Sequence, residues 1–168
     1  MIMNKLIIII FLSISTFSFA QKDGYYNNID SANVYPNSVI ILDLEKQKLK
    51  EVPTEVLNFQ NLEKLILKRN YIKEVPKEIS YLKKLRYLDL SSNKLTELPK
   101  ELSVLKLDTI IMWDNRIRIF PNEFKEMNET LKYLDLRAIQ MNKEEQNTIR
   151  SLFPKTKIRL AHPCNCNR

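Results

Sequence analysis

Residues 85–99 read LRYLDLSSNKLTELP, and the leucines of this stretch set the organisation of the whole chain. They stand at 85, 88, 90, 95 and 98, a spacing that fits neither the 3.6-residue period of a helix nor the alternation of a strand. The same frame starts 23 residues earlier at Leu62 (LEKLILKRNYIKEVP) and again at Val39 (VIILDLEKQKLKEVP). It continues at Leu107 (LDTIIMWDNRIRIFP) and Leu131 (LKYLDLRAIQM). A fixed period in the twenties indicates a solenoid of stacked repeats.

This frame, LxxLxLxxNxLxxLPxxLxxLxx, resembles the 23-residue form of the leucine-rich repeat family from about Val39 to Pro154. The resemblance implies a curved α/β solenoid. About six short parallel strands would form its concave face, and 3-10 or short helical returns its convex face. It also implies that Asn70, Asn93 and Asn115 point inward and hydrogen-bond turn backbone, as an asparagine ladder.

The departures from the frame are equally specific. Gln47 and Ile139 occupy the asparagine position in the first and last full repeats, so we expect the ladder to fray there. Asn142 followed by Glu145 is the mark of a helix start, and Pro154 ends that helix. The sequence predicts four segments: a signal peptide at 1–20, an N-terminal cap at 21–38, five repeats at 39–154, and a terminal strand with a cysteine tail at 155–168. The repeats start near 39, 62, 85, 107 and 131, and the last one contains a capping helix at 142–153.

The first 20 residues have the pattern of a secretory signal. Lys5 precedes an apolar run, and Ser18-Phe19-Ala20 supplies small residues where a signal peptidase cleaves, before Gln21. The run is shorter than the roughly 20 residues that cross a bilayer, although retention as an anchor is the alternative. We therefore expect an exported protein that is secreted, periplasmic or on the cell surface, with no membrane span once the signal is removed. A signal followed directly by a short repeat module resembles the small exported bacterial form of the family.

Composition argues against catalysis. The chain has one glycine, Gly24, and one histidine, His162, which excludes glycine-rich phosphate loops and multi-histidine metal sites. We expect no enzymatic activity, no cofactor and no metal.

The net charge is +7, but lysines alternate with acids along the chain, whereas a groove that binds nucleic acid would carry mainly positive charge. Nucleic acid is therefore disfavoured, and the expected state is a monomer.

The positions between the strand leucines form the one surface that the repeat does not dictate. Aromatic and arginine residues there are of the types that anchor protein interfaces. The predicted partner-binding residues are Trp113, Tyr87, Tyr133, Ile66, Ile111, Arg86, Arg137, Asp89, Asp114 and Asp135. Two alternatives remain open at this stage. Aspartates at this position are common in the family and need no function, and Trp113 can serve local packing.

The tail carries both cysteines, Cys164 and Cys166. A disulfide between them would close a small strained ring. The alternatives are a cross-link to another chain, a metal site shared with His162, and an exposed tail without a role. The sequence thus predicts a rigid module that binds a protein partner. A cell-envelope spacer tethered through the tail, or a glycan-binding module, is the alternative function.

Overall fold

The computed structural model describes residues 24–163. The predicted signal peptide and both cysteines lie outside the described residues. Seven parallel strands form one sheet in which each strand pairs with the next along the chain. They are β1 (Tyr25–Tyr26), β2 (Ile41–Asp43), β3 (Lys64–Ile66), β4 (Tyr87–Asp89), β5 (Thr109–Ile111), β6 (Tyr133–Leu136) and β7 (Lys157–Leu160).

The returns between strands are 3-10 segments on the opposite side of the solenoid. Pro53, Pro76, Pro99 and Pro121 each directly precede one of them, because proline fixes a suitable backbone angle and brings no donor that needs a partner. The four segments are Thr54–Asn58, Lys77–Tyr81, Lys100–Val104 and Asn122–Glu129. The last is the longest, in agreement with the extra residue that the sequence places in that repeat.

The core is a single column of aliphatic side chains between sheet and returns. All five leucines of the stretch 85–99 are at most 5% exposed. The equivalent positions of the other repeats are also buried, apart from Leu49 and Phe120, which are partly buried. Each repeat thus covers the apolar side of its neighbour. A buried leucine contributes about 1.5–3 kcal/mol of transfer free energy, which makes this column the main source of stability. The predicted curved α/β solenoid is confirmed.

The N-terminal cap differs from the prediction in one respect. This segment contains a short helix, α1 (Ile29–Val34), with Asn28 as its N-cap. In addition, β1 pairs with β2, so the sheet has seven strands rather than about six. Two residues are too few to show a periodic pattern. The pairing depends on tertiary contacts, since the Gly24 carbonyl accepts the N–H groups of Ile40 and Ile41 at 2.9 and 2.8 Å.

The C-terminal cap is the predicted helix followed by the terminal strand. Helix α2 spans Lys143–Leu152 and begins with a full capping box between Asn142 and Glu145. Gln146, buried in this helix, donates to the Ala161 carbonyl at 3.1 Å and so ties α2 to the end of β7. Across residues 24–163, no helix has the length and apolar character that crossing a membrane requires.

Candidate functional site

The strand register arranges the predicted contact residues in rows across the concave face. Tyr87, Thr109 and Tyr133 are directly paired on β4, β5 and β6, with Lys64 and Lys157 at the two ends of this row. Neighbouring strands are about 4.8 Å apart, so the two tyrosines lie on either side of a small threonine. The result is a shallow depression with an aromatic ring on each side.

A second row runs parallel to the first, one position beyond the inward leucines. Here Ile66, Asp89, Ile111 and Asp135 alternate along β3 to β6. Both isoleucines are half-buried, whereas the two carboxylates lie below the surface. An apolar strip therefore borders the aromatic depression, with the acids contributing little exposed area.

The only tryptophan stands just past the end of β5. The carbonyl of Trp113 accepts the N–H of Ser92, and the carbonyl of Arg137 accepts the N–H of Asp114, which places Trp113 between the third and fifth repeats. Its side chain is half-buried and that of Asp114 is exposed. Arg86 lies at the other end of its strand, where its guanidinium donates to the Lys106 carbonyl at 3.0 Å.

The buried aspartates of the second row stabilise the ends of their strands. The Asp89 carboxylate accepts the backbone N–H of Ser91 at 2.9 Å and its hydroxyl at 2.5 Å. Asp43, at the equivalent position of the first repeat, accepts the N–H of Glu45 at 3.0 Å. A side chain that binds backbone two residues ahead is a local turn device. These aspartates thus fix where the concave surface begins to turn.

Asp135 has the densest set of interactions on this face. The Arg137 guanidinium donates Nε to Oδ1 at 2.9 Å and Nη2 to Oδ2 at 2.7 Å, and the Tyr133 hydroxyl donates to Oδ2 at 3.3 Å. Burial by itself would raise the pKa of Asp135, but the hydrogen bonds and charge of Arg137, with a contribution from Arg159, hold it below its ordinary value. Asp135 is therefore a stable anion that orients Arg137 and Tyr133.

Tyr87 lies in a mixed environment. The Lys64 ammonium lies 4.3 Å from the centre of its ring, a cation–π contact. Burial raises the pKa of the Tyr87 hydroxyl, and the nearby charge of Asp89 raises it further. Lys64 did not belong to the predicted contact set, although the 23-residue spacing already puts it opposite Tyr87. We therefore add Lys64 to the candidate contact residues.

The asparagine ladder lies behind this surface and holds the repeats in register. Asn93 accepts the Ile72 N–H at 3.0 Å and donates to the carbonyls of Leu67 and Leu90 at 3.0 and 2.9 Å. Asn70 and Asn115 make the equivalent bonds. These three asparagines thus form a continuous hydrogen-bonded ladder. At its first position Gln47 instead donates to the Asn27 carbonyl of the cap at 2.7 Å.

The residue before each ladder position has a left-handed backbone, a feature that sequence reasoning missed. The φ angle lies between 51° and 59° at all five of these positions, namely Lys46, Arg69, Ser92, Asp114 and Ala138. None is glycine, the residue that normally marks this conformation. Without glycine the sequence has no local signal, and stacking against the neighbouring repeat holds the geometry. The N–H groups of four of these residues, all but Ala138, donate to a carbonyl of the next repeat.

No group of three or more potential metal ligands occurs within residues 24–163. The ionisable groups of the concave face are paired with each other or spread along the sheet. The concave face therefore presents aromatic, aliphatic and charged side chains in ordered rows.

The comparison with known families agrees with this architecture. Residues 37–95 match the family described as leucine rich repeat. These residues carry leucine-rich repeats, and the solenoid has the leucine-rich repeat fold. No curated protein matches it by sequence.

Several solved structures are similar to this chain. One is a leucine-rich repeat protein of Leptospira interrogans (24% identity, TM-score 0.57), which aligns over 83% of this chain and 46% of its own. Another is internalin C2 of Listeria monocytogenes (22% identity, TM-score 0.63), with coverage of 80% and 56%. A plant ice-binding protein aligns at 26% identity and TM-score 0.54, with coverage of 63% and 36%. This chain spans 46% and 56% of the length of the first two, and the likeness to them shows the fold alone.

Proposed function

We propose that this protein binds a protein partner outside the cytoplasm through its concave face, without catalysis. The observation that supports the proposal is the set of three half-buried aromatic side chains, Tyr87, Trp113 and Tyr133, on adjacent strands of one rigid sheet. Large aromatic residues that are already ordered bury much area at low entropic cost. Leucine-rich repeat folds commonly mediate protein–protein interaction, which agrees with this reading.

The remaining predicted residues have distinct roles in this proposal. Ile66 and Ile111 extend the apolar area beside the aromatic depression. Arg86, Arg137 and Asp114 form a polar rim, and the Arg137 fork is already held in place by Asp135. Asp89 and Asp135 contribute by positioning their neighbours, because both are buried. An apolar centre with a mixed-charge rim is the usual anatomy of a protein interface.

Affinity capture tests the proposal. The purified protein is immobilised and exposed to extracts of the source cell envelope and its surroundings, alongside a Trp113→Ala/Tyr133→Ala variant. The matched control is Tyr35→Ala/Tyr81→Ala, which also removes two aromatic side chains but from exposed positions on other faces. Circular dichroism verifies that all three proteins are folded.

The expected result is a protein that the parent and the control retain and the concave-face variant loses. Loss of the aromatic anchors should weaken binding by roughly 2 kcal/mol or more, the range of interface hot spots. Equal retention by all three proteins would place binding on another surface and overturn the proposal. Retention of a glycan, with no protein, would identify the ligand class as wrong while leaving the concave face as the site.

A further inference from the structure

The loops that follow the strands form a second ordered surface beside the concave face. The N–H groups of Tyr71, Lys94 and Arg116 donate to carbonyls of the preceding loop at 2.7–2.9 Å, so successive loops stack in register. Within each loop, residues alternate between the core and solvent. We define the loop face as two of the solvent-exposed rows of these loops. One row is Lys48, Tyr71, Lys94 and Arg116, and the other is Lys50, Lys73, Thr96 and Arg118.

The loop face concentrates positive charge that the linear sequence hides. Six of its eight residues are basic and none is acidic, because the 23-residue period brings lysines from different repeats into the same two rows. Among residues 24–163, none of these six forms a salt bridge, and Lys94 lies 4.8 Å above the Tyr71 ring. The glutamates that interleave with them in sequence form a separate adjoining row, Glu51, Glu74 and Glu97.

One end of the loop face opens into a cleft between the fourth and fifth repeats. Its volume is about 400 Å³, and it is lined by Asn115, Arg116, Ile117, Arg118, Ala138, Ile139 and Gln140. The cleft coincides with the point where the ladder stops. Between earlier repeats, the asparagine of one loop accepts a backbone N–H from the loop before it. Asn115, for example, accepts the N–H of Leu95 at 3.0 Å.

Ile139 replaces the asparagine at this junction and offers no acceptor. Within the described part of the chain, the Ile117 N–H consequently has no hydrogen-bond partner. The two loops are not joined as the earlier ones are, and the cleft lies between them. Two exposed arginines, Arg116 and Arg118, line it, and no acidic residue does.

We propose that this cleft and the adjoining loop face bind an extended acidic peptide segment of a partner, with Arg116 and Arg118 as its principal contacts. Arginine binds carboxylates through two parallel hydrogen bonds, and both guanidiniums are free of competing ion pairs within residues 24–163. The cleft is much larger than a single ion requires and suits a few amino-acid residues. The adjoining glutamate row disfavours a nucleic acid or a membrane, which need a broad surface of one sign.

The test is fluorescence anisotropy with a fluorescein-labelled hexaglutamate peptide at low ionic strength, against a labelled hexaserine peptide. We expect the parent to bind hexaglutamate only. An Arg116→Glu/Arg118→Glu variant should bind it at least about ten-fold more weakly, since both charge-assisted contacts are lost. The matched control, Lys125→Glu/Arg150→Glu, changes the net charge equally at exposed sites elsewhere and should alter binding less than about two-fold.

Two further variants isolate the cleft. Ile139→Asn keeps every charge but supplies the missing ladder residue, so it should close the cleft and weaken binding. Trp113→Ala/Tyr133→Ala should bind hexaglutamate like the parent, which separates this proposal from that for the concave face. Circular dichroism confirms that each variant is folded.

Several results would overturn the proposal. One is no binding by the parent, and another is an equal loss in both charge-reversed variants, which would indicate only a general charge effect. Unchanged binding by Ile139→Asn would remove the cleft from the site. Competition by other anions is the last such result. The competitors are inorganic phosphate, an oligonucleotide and phosphatidylglycerol vesicles, each compared with unlabelled hexaglutamate at equal concentrations of anionic groups. If one of them displaces the labelled peptide at a lower concentration than unlabelled hexaglutamate does, the proposed ligand class is wrong.

Discussion

The Arg137 guanidinium binds both carboxylate oxygens of Asp135, at 2.9 Å from Nε to Oδ1 and 2.7 Å from Nη2 to Oδ2, although the two residues are only two positions apart. The carboxylate is buried and the guanidinium is partly exposed. This pair joins the end of β6 to the rim of the concave face. It makes the order of that rim dependent on the charge of one aspartate.

Stability should therefore fall in acid through Asp135. Because its pKa is lower in the folded chain than in the unfolded one, its stabilising contribution is fully present above the unfolded pKa, about 3.9, and is lost as the pH falls through the folded value. Asp135→Asn should lower the free energy of unfolding at pH 7 and flatten its decline below about pH 4. Urea unfolding at a series of pH values measures both effects.

Asp114→Asn is the control for this measurement, since Asp114 is exposed on the same face. It should leave the acid limb of the stability curve unchanged. A decline in the Asp135→Asn variant as steep as in the parent would mean that other carboxylates dominate acid unfolding.

The ladder should respond strongly to loss of one asparagine. Asn93→Ala removes hydrogen bonds to Ile72, Leu67 and Leu90. It leaves the Ile72 N–H without a partner inside the solenoid, whereas the two carbonyls keep the bonds from Asn70 and Asn115. We expect a loss of about 2–4 kcal/mol in the free energy of unfolding. Denaturant titration followed by circular dichroism measures it. Asn147→Ala, at an exposed position of α2, should change stability by less than about 0.5 kcal/mol.

The left-handed position before Ile139 allows a stabilising change. Ala138 has φ 57° and is exposed, so Ala138→Gly removes backbone strain at a smaller entropic cost. The expected gain is up to about 1 kcal/mol, and Ala138→Val should instead destabilise by about 1–2 kcal/mol. Thermal unfolding separates the three proteins. Ala161→Gly, at a position without positive φ, should be destabilising, and a gain there would contradict the explanation.

The only glycine in the sequence should not tolerate a side chain. Gly24 has φ 77°, and a Cβ atom there would lie 2.8 Å from Ile40 side-chain atoms. Gly24→Ala should therefore weaken the β1–β2 pairing and cost about 1–3 kcal/mol. Hydrogen exchange at the Ile40 and Ile41 amides measures the pairing directly. Asn27→Ala, nearby and exposed, should leave this exchange unchanged.

Much of the fold follows from spacing alone. The 23-residue leucine frame predicts the parallel strands, the buried column and the ladder, because each depends only on which residues recur at one position of every repeat. The capping box at Asn142 is equally local, and the helix that it starts is present. The rows of Tyr87, Tyr133 and Trp113 also follow, since a fixed period places equivalent residues on adjacent strands.

Contacts between non-equivalent parts of the chain could not be predicted in this way. Strand β1 exists because the Gly24 carbonyl meets Ile40 and Ile41, and two residues carry no periodic signal. The left-handed backbone at Ala138 and its equivalents is imposed by neighbouring loops, without a glycine to announce it. Whether a predicted contact residue is accessible was likewise undetermined, as Asp89 and Asp135 are buried and Asp114 is exposed.

The sequence by itself determined the repeat, the core and the order of strands, because periodic burial of leucine is a property of position in the chain. Only the tertiary structure decided which charged rows are exposed and where two neighbouring loops separate. Lysines and glutamates that alternate along the chain separate into distinct rows once the loops stack, and one isoleucine in place of asparagine leaves a cleft between two loops. Such features depend on distances across repeats, which a linear pattern does not contain.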